Sequence, residues 1–388
     1  MTTIQYIKSS QQLTGLCEQI NAAKWVALDT EFLREKTYYP KFCLLQIATP
    51  EWVACVDPIA LPNLEPLFQA LYNPALIKVL HSCHQDLEIF YQLTQKVPGP
   101  IFDTQVAAPL LGYQDNPGYA MLVSSLLNIN LNKAHTRADW SKRPLTEDEI
   151  QYAADDVIYL CKIYEIMSKK LAALGRADWL TDDFKALENP DNYWVNPERA
   201  WLKIRGKNKL TVKQLTIVQA LAEWRELTAQ TENRPKSWLL RDELIFDMAK
   251  LQPETIAELA GIRGINERIV QRYGKKLCEL ISQAKTKEPI VLHNKGRGVK
   301  KSQQHEAILD ILTALVRIRA EENALNPNIL ANRKDLENLL FNEAEEDCPL
   351  LHGWRYSMAG KELLGLLNGE LTLGIQEGKL IINPNGAT

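Results

Sequence analysis

The chain has 388 residues, room for two or three domains at ~100–200 residues each. Its 46% hydrophobic and 24% charged residues, with 18 Gly and 19 Pro, match ordinary globular proteins and exclude disordered and collagen-like chains. The net charge of −3 discourages a polyanionic partner only as a total: residues 1–200 carry −7, residues 201–301 carry +10 and residues 302–388 carry −6.

No apolar run approaches the ~20 residues that cross a bilayer, and Met1-Thr2-Thr3-Ile4-Gln5-Tyr6 lacks a signal-peptide pattern. A soluble, cytoplasmic protein without membrane attachment is predicted. The seven cysteines, Cys17, Cys43, Cys55, Cys83, Cys161, Cys278 and Cys348, show no spacing suited to disulfides or zinc, and His81-Ser82-Cys83-His84 has no second ligand group to join it.

In chain order, Trp25-Val26-Ala27-Leu28, Leu44-Leu45-Gln46-Ile47-Ala48 and Trp52-Val53-Ala54-Cys55-Val56 read as strands closely spaced by turn residues. A helix over roughly 61–71 precedes a further strand, Ile77-Lys78-Val79-Leu80. Helical patterns follow over 85–93 and 147–171, so the first half is a mixed sheet flanked by helices. The polar stretch from Asp178 to Arg199, with Asn189-Pro190 and Asn196-Pro197, reads as a linker. Residues 210–285 show only helical periodicity, residues 286–304 are Lys/Gly-rich, and a second helical module extends to about residue 380. Trp224-Arg225, Arg234-Pro235 and Leu240 to Leu244 recur loosely as Ile318-Arg319, Asn326-Pro327 and Asn332 to Leu336, a weak internal repeat.

Asp29-Thr30-Glu31 directly follows the first of these strands. Alternate residues of an extended chain share a face, so Asp29 and Glu31 point the same way. Two adjacent carboxylates repel unless a hard divalent cation accepts their oxygens, although a solvated strand end has the same sequence. Asp86 opens a helix, where an acid also suits the helix dipole. In Tyr152-Ala153-Ala154-Asp155-Asp156, the stripe Ile150, Ala153, Ala154, Val157, Cys161 and Tyr164 is one apolar face. Tyr152, Asp156, Tyr159 and Ile163 form a second, so both faces should be covered and Asp156 withheld from bulk water.

Asp29-x-Glu31, Asp86 and Tyr152-x-x-x-Asp156 resemble the three exonuclease motifs of the DEDD superfamily, whose fold is ribonuclease-H-like. The longer runs Asp29 to Pro40, His81 to Glu88 and Arg137 to Leu145 are similar to the ribonuclease D family, and the helical modules resemble its tandem HRDC domains. Tyr152 stands four residues before Asp156, and Gln151 stands where a histidine subtype would need His, so the resemblance is to the tyrosine subtype. One departure is Glu149, where the family often has Gln. Asp155 is a rival to Asp156, ranked lower because it lies about 100° round the helix.

The resemblance implies an α/β ribonuclease-H-like exonuclease domain over 1–200, followed by two all-α HRDC-like domains over 207–288 and 303–383. It implies a metal-dependent 3′-to-5′ exoribonuclease that releases nucleoside 5′-monophosphates in tRNA 3′-end maturation and the trimming of structured RNAs. Asp29, Glu31, Asp86 and Asp156 would hold two divalent ions, Mg²⁺ or Mn²⁺, and Tyr152 would orient the attacking water, since its ordinary pKa of ~10 makes it a poor base. Tyr38, Tyr39 and Phe42 are candidates to stack on bases, and Lys133, Arg137 and Arg143 to pair with phosphate, with packing and solvated surface as their other readings. A DNA exonuclease of repair type and an inactive nucleic-acid scaffold are the competing readings. A monomer acting on RNA is favoured, held at the basic middle segment.

Overall fold

The computed structural model describes residues 3–131, 138–288, 302–341 and 348–384. The expected strands form β2 (Trp25–Leu33), β3 (Lys41–Ala48), β4 (Val53–Val56) and β5 (Ile77–Leu80), joined by two short strands that the periodicity missed, β1 (Ile4–Ile7) and β6 (Ile101–Asp103). The sheet runs β1-β4-β3-β2-β5-β6. β2 and β4 are antiparallel to β3, while β1 pairs parallel with β4, β5 with β2 and β6 with β5.

Alternation along β2 divides its side chains between two cores. Val26 and Leu28 pack with Leu16 and Ile20 of α1 (Ser10–Ala22), Leu67 and Leu71 of α2 (Glu65–Leu71), and Leu87 and Phe90 of α3 (His84–Thr94). Beyond β6 come α4 (Thr104–Ala107), α5 (Tyr119–Leu127) and the long α6 (Glu147–Ala173). Ala27, on the other face of β2, packs with Ala153, Ala154 and Val157 of α6. Asp29 and Glu31 continue the Ala27 face and so point toward α6.

The start of α6 accounts for Glu149. Thr146 accepts from the Glu149 backbone N–H, and the Glu149 Oε2 accepts from the Thr146 N–H at 2.8 Å. This reciprocal cap needs a side-chain oxygen that Glu or Gln supplies equally, so the departure from Gln preserves the contact.

The expected linker is docked against the exonuclease domain. Asn189 and Asn196 cap short 3₁₀ turns, and Tyr193 is buried in the core beside α3. Glu188, just past α7 (Thr181–Leu187), accepts from the Ile101 N–H at 2.9 Å. Asn-Pro pairs mark helix starts as readily as spacers.

The first helical module comprises α8 (Val212–Thr231), α9 (Lys236–Leu239), α10 (Asp242–Leu251), α11 (Ile256–Ala260) and α12 (Glu267–Thr286), with its own core around Leu221, Ile245, Leu277 and Ile281. The second opens with α13 (Gln303–Glu322), α14 (Pro327–Leu330) and α15 (Arg333–Phe341). These three have 20, 4 and 9 residues, against 20, 4 and 10 in α8 to α10.

After α16 (Gly353–Arg355) and α17 (Lys361–Leu367) the chain departs from the helical expectation and forms a hairpin, β7 (Leu371–Gln376) and β8 (Lys379–Pro384). Its two-residue turn, Glu377-Gly378, has φ of 49° and 76°, the left-handed pair that matches strand twist. Among the described residues the second module shares a core with the exonuclease domain: Leu312, Leu315 and Leu363 pack with Leu122 of α5 and Ile163 and Met167 of α6. Buried Arg176 joins the parts by donating to the carbonyls of Leu110 and Asn323, and Trp179 stacks on Trp354 with ring centroids 4.7 Å apart. No helix among the described residues is long and apolar enough to cross a membrane.

Candidate metal and active site

The structure brings Asp29, Glu31 and Asp156 together: each offers a carboxylate oxygen, and these oxygens lie within 4.8 Å of one another. β2 supplies two from one face by alternation, with a register shift between Glu31 and Phe32 that bends the strand end. α6 supplies the third from the turn that follows Tyr152. Asp86, buried in the first turn of α3, stands beside them and accepts from the Thr30 hydroxyl at 2.5 Å.

Gathering these acids is electrostatically unfavourable, and their titration reflects it. Burial pushes Asp29 up to about 6. Burial, and then the charges of Asp29, Asp156 and Asp86, push Glu31 up to about 9. Asp156 rises to about 8 through burial and then the charges of Asp29 and Asp155, and burial next to Asp29 raises Asp86 well above the usual carboxylate range. An all-oxygen donor set with this excess of negative charge fits a hard divalent cation, which would replace the protons.

Tyr152 is half-buried one turn before Asp156, its ring 6.2 Å from that of Trp140. Asp155 points elsewhere and accepts from Gln151 Nε2 at 2.8 Å.

Three supporting residues carry no local signal. Thr30 sits between the paired acids but faces Asp86, 56 positions away. Tyr119 donates its hydroxyl to the Asp156 carbonyl, steadying the α6 backbone at the site. Asp103 accepts from the N–H groups of Ser82 and Cys83 ahead of α3 and of Gln105 in α4, which fixes the helix carrying Asp86. Thr30 and Asp103 could have been suspected only as polar residues within apolar strands.

The proposed substrate contacts fare differently. Tyr38 is 9% exposed, and its hydroxyl donates to Glu226 Oε1 of α8 at 2.5 Å, so it fastens the two domains together and its ring is closed to a base. The Tyr39 ring stands edge-on to Tyr38 at 4.8 Å, and Asn233 Oδ1 accepts from the backbone N–H of both tyrosines. Phe42 packs on the core at the α1–α3 side of the sheet, away from α6.

Arg143 is likewise taken. It donates from Nε and Nη2 to both oxygens of buried Asp57 and from Nη2 and Nη1 to the carbonyls of Cys43 and Trp140. A guanidinium so saturated cannot also grip phosphate. Arg143→Ala should therefore lower stability by about 3 kcal/mol, because Asp57 loses its buried partner; urea unfolding followed by near-ultraviolet circular dichroism would measure it, and an unchanged midpoint would refute this account. Lys133 and Arg137 lie outside the described residues.

Residues 4–172 match the family described as 3′-5′ exonuclease, and residues 214–281 match the HRDC domain. Ribonuclease D of Acidiphilium cryptum is 38% identical over 371 residues, and that of Gluconacetobacter diazotrophicus 36% over 372, each spanning 95% of this chain and 94% of the relative. The chain belongs to the ribonuclease D family.

The ribonuclease D assignment extends to the three-dimensional structure. The crystal structure of Escherichia coli RNase D, described as an exoribonuclease involved in structured RNA processing, matches with a TM-score of 0.82 at 29% identity, covering 95% of this chain and 99% of that one. The catalytic core of RRP6 from Trypanosoma brucei shares the fold at a TM-score of 0.57 and 19% identity, covering 73% and 80%. As a ribonuclease D family member the chain is a 3′-5′ exoribonuclease, with a ribonuclease-H-like exonuclease fold followed by an HRDC helical domain.

Proposed function

We propose that this exoribonuclease trims 3′ tails from tRNA precursors and other structured RNAs in the cytoplasm, as a monomer, using two divalent ions, Mg²⁺ or Mn²⁺. The observation that carries this reading is the convergence of Asp29, Glu31 and Asp156 beside Asp86. The ions, when bound, would make water nucleophilic at neutral pH and neutralise charge on the scissile phosphate. Asp29, Glu31, Asp86 and Asp156 would hold them. Tyr152 orients the attacking water by hydrogen bonding from the turn before Asp156. Water adds to phosphorus as the bond to the 3′ oxygen of the preceding nucleotide breaks, and a nucleoside 5′-monophosphate leaves.

The RNA body is held by the first helical module. A cleft of about 990 Å³ there is lined by Lys203, Arg205, Lys209 and Arg241, together with Arg225 and Lys236. Arg225 and Lys236 are paired with Asp242 and Glu226, whereas the other four make no side-chain hydrogen bond or ion pair among the described residues. Glu243 and Asp247 also line the cleft besides the two paired acids, so its six cations face four acids, an excess that suits a phosphate backbone. The second module is read as a further HRDC-like unit that braces the exonuclease domain through their shared core.

The test is shortening of a 5′-labelled tRNA with an unpaired 3′ tail, beside a DNA strand of matched sequence. Stepwise loss from the 3′ end that stops in EDTA is expected, faster on RNA. Faster loss of DNA, or internal fragments, would overturn the reading.

A further inference from the structure

Gln46 lies in the middle of β3, fully buried, and neither its Oε1 nor its Nε2 has a hydrogen-bond partner among the described residues. It is directly opposite Asp29 on β2 and Cys55 on β4. Opposed side chains of an antiparallel pair share a face, with Cβ atoms ~4.5–5.5 Å apart. Gln46 therefore belongs to the face that carries Ala27, Leu44, Ala48 and Cys55 against α6, and it is next to Asp29. Its diagonal neighbours on β2 are Ala27 and Glu31, and the rest of its surroundings on this face are apolar. An unpartnered buried carboxamide is destabilising, a cost that a leucine or methionine of similar size would avoid. Packing alone does not call for glutamine here. Asp29 can use the donor: an ionised carboxylate has about four acceptor sites, and a backbone hydrogen bond from Thr30 occupies one.

We propose that Gln46 is a positioning residue for Asp29: its carboxamide N–H donates to the Asp29 carboxylate, directly or through one water, and holds it in the orientation that ligates a divalent ion. This rests on the reading of Asp29 as a metal ligand. The burial of this carboxamide, its Oε1 still without a donor, is then a stability cost retained for metal affinity.

The test compares full-length wild type with Gln46→Met and Gln46→Leu by thermal unfolding in EDTA and by Mn²⁺ titration followed by electron paramagnetic resonance. Unfolding midpoints equal to or above wild type are expected, together with Mn²⁺ binding weakened about tenfold. In an Asp29→Asn background the same substitution should weaken Mn²⁺ binding no further. Wild-type Mn²⁺ affinity in both variants would overturn the proposal. So would a further loss in the Asp29→Asn background, which would place the action of Gln46 elsewhere, or a collapsed midpoint in both variants, which would make the amide a fold determinant. Wild type that binds no Mn²⁺ would instead remove the reading of Asp29 on which the proposal rests.

Discussion

Asp156→Asn should abolish turnover, by ~10³-fold or more, while Asp155→Asn should leave it within a small factor of wild type. The two side chains are adjacent in sequence and equal in charge, so only their direction separates them. The Asp156 carboxylate meets those of Asp29 and Glu31, whereas Asp155 is engaged by Gln151 on the outer side of α6. Removing one ligand charge withdraws several kcal/mol of transition-state stabilisation, and each 1.36 kcal/mol is tenfold in rate. Removing a charge one position back changes the local field slightly. Single-turnover rates on a 3′-tailed RNA at saturating Mg²⁺ would measure both, and the opposite ranking would show that the α6 register is misassigned.

The metal-free protein should lose stability as pH rises from about 5 to 9, and Mg²⁺ or Mn²⁺ should reverse the trend. Carboxyls of the unfolded chain titrate near 4, while burial raises Asp29 to about 6, and burial together with the neighbouring carboxylates raises Asp156 to about 8 and Glu31 to about 9 in the folded protein. Between those limits the native state binds protons that the unfolded chain has released, so unfolding becomes easier as pH increases. A shift of two units corresponds to roughly 3 kcal/mol. A divalent ion binds the deprotonated acids, so its stabilisation should grow over the same range. Melting curves in EDTA and in Mg²⁺ across this range would test the pair of trends, and Glu31→Gln should flatten the EDTA profile above pH 7. A metal-free midpoint that climbs steadily with pH would contradict the account.

Much of the site was legible because it depends on local periodicity. Alternation along a strand places Asp29 and Glu31 on one face, and the helical repeat separates Asp156 from Asp155, whatever the rest of the chain does. The doubly covered α6 was visible as two apolar stripes and is seen between the sheet and α5. Elements with weak local patterns were not visible. β6 has 3 residues, too short for an alternation to register, and β1 owes its place to pairing with β4. Tyr38 and Arg143 show the opposite problem, since an aromatic ring and a guanidinium carry the same sequence signal whether they meet RNA or the protein itself. Glu226 is 188 positions from Tyr38 and Asp57 is 86 from Arg143, and these distant partners decide the matter.

The sequence by itself determined the kind of chemistry, through the number, type and local spacing of the acids, and it located the basic middle segment. Tertiary structure alone decided which polar groups are free to act. It assigned Thr30 to Asp86, placed Gln46 beside Asp29, and removed Arg143 and Tyr38 from the substrate by occupying them internally. The reason is physical: a residue's chemistry is a property of its own atoms, but its availability depends on partners brought near by the packing of remote segments.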